Sequence, residues 1–497
     1  MRLSGTGCGV LPRLVCRCDT IVSVRCLAQI SLACVILGGL AGGQNQVRPD
    51  DEDFHVYRDA PRLLLTPQRL RLLQRERERQ SLRWEQFDAL MSGGAPMAEP
   101  GFAWALYYQV SRQPAAAKQA IDWALKDGAQ PDASVLRQLA LVFDWCGPAL
   151  TPAQSDRLAA KIQTALAKPA VTSINDVRGQ GARVFAAIAL ADRLPDQGNV
   201  ILSEIIQKWW RAQVVPQLES SGALPREQRY FLYEMLHALR DNLRIDLRES
   251  AAGYFKDLPL AHLTGHYPAP FASPENEFLI PVYLHDGNPD PADAAMSRAA
   301  GLAMVAYDTN ALNSQLLQGW LMRDRFLMRG SLGAVYEFLW ANPYQPGLNY
   351  DQVPLVFHEP YTGEVFARTS WDEDATWIGY FQGRLQLFQN GRLQTLREGA
   401  AVNPVQVGTA TIASAPARDA AKFRVENAGN QDLFVLGLTP RSEYAVEVDD
   451  QKLEILDTDA GGTLQVPTSG RTDVGVRVRM RGPSSESVKG MPQDAIK

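Results

Sequence analysis

Past residue 34 the chain has a single cysteine, Cys146; the other five (Cys8, Cys16, Cys18, Cys26 and Cys34) lie near the start. That excludes a disulfide framework and a thiolate metal cluster in the body of the protein. Cys146 ends the apolar run LVFDWC and reads as a small buried side chain rather than a nucleophile. There is no basic block: 50 Lys and Arg face 55 Asp and Glu, a net charge of −5 spread along the sequence. Nucleic acid is therefore not an expected partner. No apolar run is long enough for a confident membrane span. The longest, Leu27–Ala41, suits the core of a secretory leader, with Arg17 and Arg25 upstream and Ala41-Gly42-Gly43 as the cleavage region. Residues 1–43 are expected to be removed, with no stable span left and a secreted or periplasmic destination. A start near Val22 or Val24 would give a leader of ordinary length; an uncleaved anchor is the rival reading. HExxH, GxSxG and a Gly-rich phosphate loop are all absent.

What is present is a large apolar fraction. Hydrophobic residues make up 46% and charged residues 21% of 497, enough for two or three cored domains. Residues 44–342 read as helical. Thr66-Pro67 and Thr151-Pro152-Ala153-Gln154 are helix starts, with Thr as cap, Pro at the first helical position, and Gln154 completing a capping box. Further helical runs are Ala103–Val110, Ala115–Leu125, Ser134–Trp145, Val184–Arg193, Val200–Trp210, Tyr230–Leu243 and Ala294–Tyr307. Short Gly/Pro/Asp connectors between them imply antiparallel hairpins closed into an (α/α) toroid, an incomplete α/α barrel. Residues 343–353 form a breaker-rich linker. From 354 to 482 the period switches to two, as in Tyr444–Val448, Lys452–Leu456 and Val474–Met480, which predicts an antiparallel β-sandwich. Residues 483–497 are polar and predicted to be disordered.

The stretch FARTSWDEDATWIGYFQGRLQLFQNGRLQTLREG, residues 366–399, resembles the start of the sandwich in heparinase II/III-like and alginate-lyase-like polysaccharide lyases. Arg368, Trp371, Asp374, Trp377, Gly391, Arg397 and Gly399 fall into that family's register. The two histidines and the aspartate of its His-x-His-x-Asp strand are replaced by Leu385, Leu387 and Gln389. The helical half resembles the same families at Pro61–Thr66, at Phe143-Asp144-Trp145 and at Ala149–Pro152. The resemblance covers about residues 60–480.

It implies a ligand cleft between toroid and sandwich, an acidic (uronate) polysaccharide as partner, and β-elimination as chemistry. It implies no organic cofactor, and the missing histidines remove the usual metal. The family's Asn-His corresponds to Asn175-Asp176, and its Tyr-bearing helix to Glu227–Tyr233. By that carry-over Tyr230 transfers the proton, and Asn175 with Arg178 or Arg229 neutralises the carboxylate; a tyrosine needs a nearby cation for this work. Tyr233, His358, Trp340 and Trp371 are the implied substrate-binding residues. Plainer readings stand beside each. Tyr230, Tyr233 and His237 share one helix face and equally make a core stripe. Asn175 equally caps a helix, Arg178 equally serves structure, and the aromatics equally pack between domains. His262 and His266 have helical spacing, but Gly265 and Pro268 argue for a solvated loop there. His285-Asp286 reads as a turn.

Two other functions remain open. One is a non-catalytic carbohydrate-binding or cell-envelope protein that keeps the fold without the chemistry. The other is a glycoside hydrolase using a carboxylate pair, for which Glu227 with Glu234, or Glu275 with Glu277, are candidates.

Overall fold

The computed structural model describes residues 54–126, 131–167, 173–220, 222–272, 278–396, 404–407, 410–426, 432–449, 452–467 and 473–481. The leader, the polar tail, Glu275, Glu277, Arg397 and Gly399 lie outside them.

The helical half follows the capping signals. Thr66 caps Pro67–Glu78, and Thr151 and Gln154 form the reciprocal box at Pro152–Leu166. Six inner helices pack in turn: Pro100–Ser111, Ala133–Trp145, Val177–Ala189, Arg229–Leu243, Pro291–Tyr307 and Ala334–Trp340, the last returning to the first. The intervening helices lie outside them, so the arrangement is a toroid. Its middle is filled by Phe102, Trp145, Tyr230, Tyr336 and Trp340.

The two resembling motifs at the start of the toroid meet in space. Asp144 accepts hydrogen bonds from the backbone N–H of Arg62 (2.7 Å) and Leu63 (2.8 Å), and Trp145 Nε1 donates to the Leu63 carbonyl (2.9 Å). Their pairing is structural: it ties the entering chain to the inner ring.

Thirteen strands follow among the described residues. A five-stranded antiparallel meander comprises β1 (Val356–Glu359), β2 (Glu364–Arg368), β3 (Trp377–Phe381), β4 (Arg384–Gln389) and β5 (Arg392–Leu396). A second sheet runs β12-β9-β7-β6, from β6 (Val405–Val407), β7 (Ala410–Ser414), β9 (Asp432–Leu436) and β12 (Leu464–Pro467). A third runs β11-β10-β13-β8, from β8 (Ala420–Glu426), β10 (Glu443–Val448), β11 (Lys452–Asp457) and β13 (Asp473–Met480). The expected sandwich is thus three sheets deep. It also contains one parallel pair, β7 with β9, because the chain leaves the second sheet to form β8 and then returns.

The middle of the meander, β2 and β3, is buried on both faces. Val365, Ala367, Ile378 and Tyr380 pack against Ile412, Phe434 and Leu436 of the second sheet. Phe366, Trp377, Phe381 and Phe388 pack against Tyr267, Ile280 and Val282 of the helical half. Period-two alternation therefore assigns even and odd positions of β2 and β4 to opposite cores. Leu385 and Leu387 lie on the sheet–sheet side, and Gln386 and Phe388 face the helices. The leucines in the two histidine positions are half-buried, packed against the sheet–sheet core and turned away from the helical half. Gly379 is required because a Cβ there would sit 2.0 Å from the Trp377 ring.

Candidate ligand cleft

A cavity of about 660 Å³ lies where the toroid meets the meander. Its helical wall comes from the starts of Val177–Ala189 and Arg229–Leu243 and the end of Ala252–Thr264. A segment running from 280 into the start of Pro291–Tyr307 closes one side, and Glu364, Phe381 and Gln382 close the other. Each wall has a local cause. Asp176 caps its helix by accepting from Gly179 N–H (3.1 Å), so the residue beside the expected Asn175 does the capping. Gln228 bridges that turn to the next helix: its amide donates to the Asn175 carbonyl (2.5 Å) and accepts from Arg178 N–H (3.1 Å). Tyr267 N–H to the Ile280 carbonyl (3.0 Å) and Val282 N–H to the Gly265 carbonyl (3.0 Å) hold the third wall.

The floor is cationic. Arg226 forms an ion pair with Glu364 that joins helix to sheet, and its guanidinium lies 5.2 Å over the Phe366 ring. Arg229 is 5% exposed, and its Nε has no hydrogen-bond partner. Among the described residues it makes no ion pair. Burial, with Arg226 beside it, lowers its pKa to about 10. At neutral pH it stays charged. The nearby Glu364 carboxylate, already paired with Arg226, partly offsets that burial, and a buried guanidinium with no ion pair of its own is costly.

His262 and His266 also line this floor, both buried. The solvated loop expected there is instead the last turn of a helix that continues past Pro259 and the strand-like bridge that follows it. His266 Nδ1 donates to the His262 carbonyl (2.7 Å), which leaves Nε2 to accept from Ser297 Oγ (3.1 Å). Burial lowers His266 to about 3, and burial, with His266 beside it, holds His262 well below the usual imidazole range. Both are neutral. No cluster of metal-ligating side chains occurs among the described residues.

The rim is mixed. Exposed Glu227, Asp290 and Asp293 supply acceptors, and burial with the charges of Asp290 and Glu227 raises the Asp293 carboxyl. Arg178 stands beside them, its guanidinium 4.2 Å over the Phe231 ring. Tyr283 and His285 stack at 4.4 Å on the cavity wall. His285 Nδ1 donates to the Asp286 carbonyl (3.3 Å), so its Nε2 carries the lone pair.

Of the residues singled out from sequence, Asn175 and Arg229 line this cavity, and Arg178 stands at its edge. Tyr230 does not. Its hydroxyl donates to Glu234, which Arg137 grips, and accepts from Trp340 Nε1 (3.1 Å). Burial and Glu234 push its pKa well above the usual tyrosine value, the wrong direction for a base. Tyr233 and Trp340 are likewise interior residues of the toroid. The core-stripe reading of that helix face is the correct one. His358 is bound to Asp459 (2.7 Å) between sheets and does not reach the cavity. Trp371 lines a separate cavity described below. Sequence reasoning passed over Arg226, Tyr283 and Asp293, and took His285 for part of a turn. Their signal was present only in spacing: Arg226 and Arg229 are three apart at a helix start, and Tyr283 and His285 are two apart in an extended run.

No protein-family model matches the chain, and no curated protein matches it. Among solved structures it is similar to the heparan sulfate lyase HepC from Pedobacter heparinus at 12% identity. That match covers 76% of this chain and 75% of that one, with a TM-score of 0.33.

Proposed function

We propose that this is a secreted protein that takes an acidic polysaccharide into the cleft between its helical and sheet halves and cleaves it by β-elimination. The observation that carries the reading is Arg229, a buried guanidinium lining the cavity with its Nε unpaired and, among the described residues, no ion pair of its own. A sugar carboxylate or sulfate placed there would complete its charge through short, charge-assisted hydrogen bonds. Rim carboxylates would then accept from the hydroxyls of the same chain. For a uronate, neutralising the carboxylate acidifies the adjacent C–H. His285 Nε2 takes that proton. The C–H electron pair becomes the new C=C bond, and the glycosidic oxygen leaves, protonated from the Tyr283 hydroxyl or from solvent.

The raised Asp293 carboxyl beside Glu227 favours a second reading, hydrolysis by a carboxylate pair. One experiment separates the two. The purified protein is incubated with alginate, hyaluronan, heparan sulfate and polygalacturonate while ultraviolet absorbance and reducing ends are followed. Elimination yields an absorbing unsaturated uronate, abolished in His285→Ala. Reducing ends without absorbance, lost in Asp293→Asn, mean hydrolysis. Retention on an immobilised polysaccharide without either product leaves a binding protein. Failure of all four polymers to bind overturns the reading.

A further inference from the structure

A second cavity, of about 410 Å³, opens on the other flank of His266, which lines both. We propose that it is a saccharide subsite for an uncharged sugar unit of the same chain, which rests on the reading of the first cleft as a polysaccharide site.

Its walls are aromatic. Trp320, Tyr350 and Trp371 line it, with Tyr350 edge-on to Trp371 at 5.6 Å. A pyranose presents a flat C–H face that packs on such rings. The charged groups that line the cavity balance. Arg298 and Arg329 are consumed inside the wall: Arg298 donates to both Glu337 oxygens (2.7 and 2.9 Å) and to Asp324 (3.0 Å), and Arg329 pairs with Asp324. Arg323, Asp372 and Glu373 are left exposed at the mouth, and among the described residues none makes an ion pair. Arg368, 4% exposed, lies 4.2 Å over Trp371 and donates to the His266 carbonyl (2.8 Å). Arg298, Arg323 and Arg329 against Asp324, Asp372 and Glu373, three lining arginines against three lining carboxylates, leave no net charge to recruit an ion; of these Arg323, Asp372 and Glu373 are exposed and outside any ion pair among the described residues. What they offer is one planar donor fork and two acceptors, the set that vicinal sugar hydroxyls satisfy as donors and acceptors together. Because His266 borders both cavities, a chain seated with an acidic unit at Arg229 brings neighbouring units to this flank. The subsite thus selects a polymer in which acidic and neutral sugars are mixed.

The test uses the purified protein with cellobiose, maltose, chitobiose and lactose, followed by saturation-transfer NMR and tryptophan fluorescence. At least one should bind with a Kd at or below ~10 mM, the weak range of a single subsite. Asp372→Asn/Glu373→Gln should weaken that binding by about tenfold. Both side chains are exposed, so this variant tests the site even where Trp371→Ala fails to fold. Arg229→Met should leave disaccharide binding unchanged. No disaccharide binding, or binding indifferent to the Asp372/Glu373 change, overturns the subsite. Loss of acidic-polymer binding in the wild type alone would instead sink the first reading, and the disaccharide result would show which had failed.

Discussion

Arg229 and Tyr230 are adjacent on one helix and are partnered in opposite ways. Tyr230 points into the toroid and is saturated with protein partners, whereas Arg229 lines the cleft with its Nε unpaired. A residue that serves the fold is expensive to remove; one that serves an absent ligand is not. Arg229→Met should therefore leave thermal stability unchanged or raised, while acidic-oligosaccharide affinity falls by roughly ten- to a hundredfold, the worth of one charged hydrogen-bonded contact. Calorimetry and binding isotherms on the same preparation check both halves. Asp144 is the converse case. Burial raises its carboxyl to about 6 from 3.8, despite two backbone donors. The protonated form is thus favoured by the fold. Its contribution to stability is fully present below pH 3.8 and is lost as pH rises through about 6. Relative to Asp144→Asn, wild type should lose on the order of 3 kcal/mol between those limits, read from denaturant melts across the range.

At the scale of elements, the strand positions carry the lesson about legibility. The starts of Pro67–Glu78 and Pro152–Leu166 were readable from Thr-Pro, and the sheet region from its alternation. What the alternation did not reveal was which face met which layer. A strand that meets a packed layer on each side gives no solvent face to orient it, so β4 read only as a motif with missing histidines. Only the packing shows Leu385 and Leu387 against the sheet–sheet core. Short helices such as Ala334–Trp340 and the Pro-containing Ala252–Thr264 were also invisible, one for lack of length and one because proline argues against its own helix. The cleft depends on a joint between elements, the Arg226–Glu364 pair. Glu364→Gln would leave a largely buried guanidinium without its counter-ion. A loss of about 3 kcal/mol is expected, together with faster hydrogen exchange in β2 and at the start of the Arg229–Leu243 helix.

For the whole molecule, the described helical half and the sheets share apolar surface rather than a linker alone. Tyr267, Ile280 and Val282 are covered by Phe366, Trp377 and Phe388 of the meander. Residues 54–353 expressed alone should expose that patch, bind a hydrophobic dye and aggregate, whereas 54–481 should melt cooperatively. A soluble, dye-silent helical fragment would contradict this.

The order of strands in the third sheet has a temporal consequence. β13 lies between β8 and β10, yet it is made after both. Since a ribosome delivers some 5–20 residues per second from the N-terminal side, β8 and β10 wait unpaired across their future gap for seconds. During that interval a chaperone, or a β13-like strand from another copy, could occupy the vacancy.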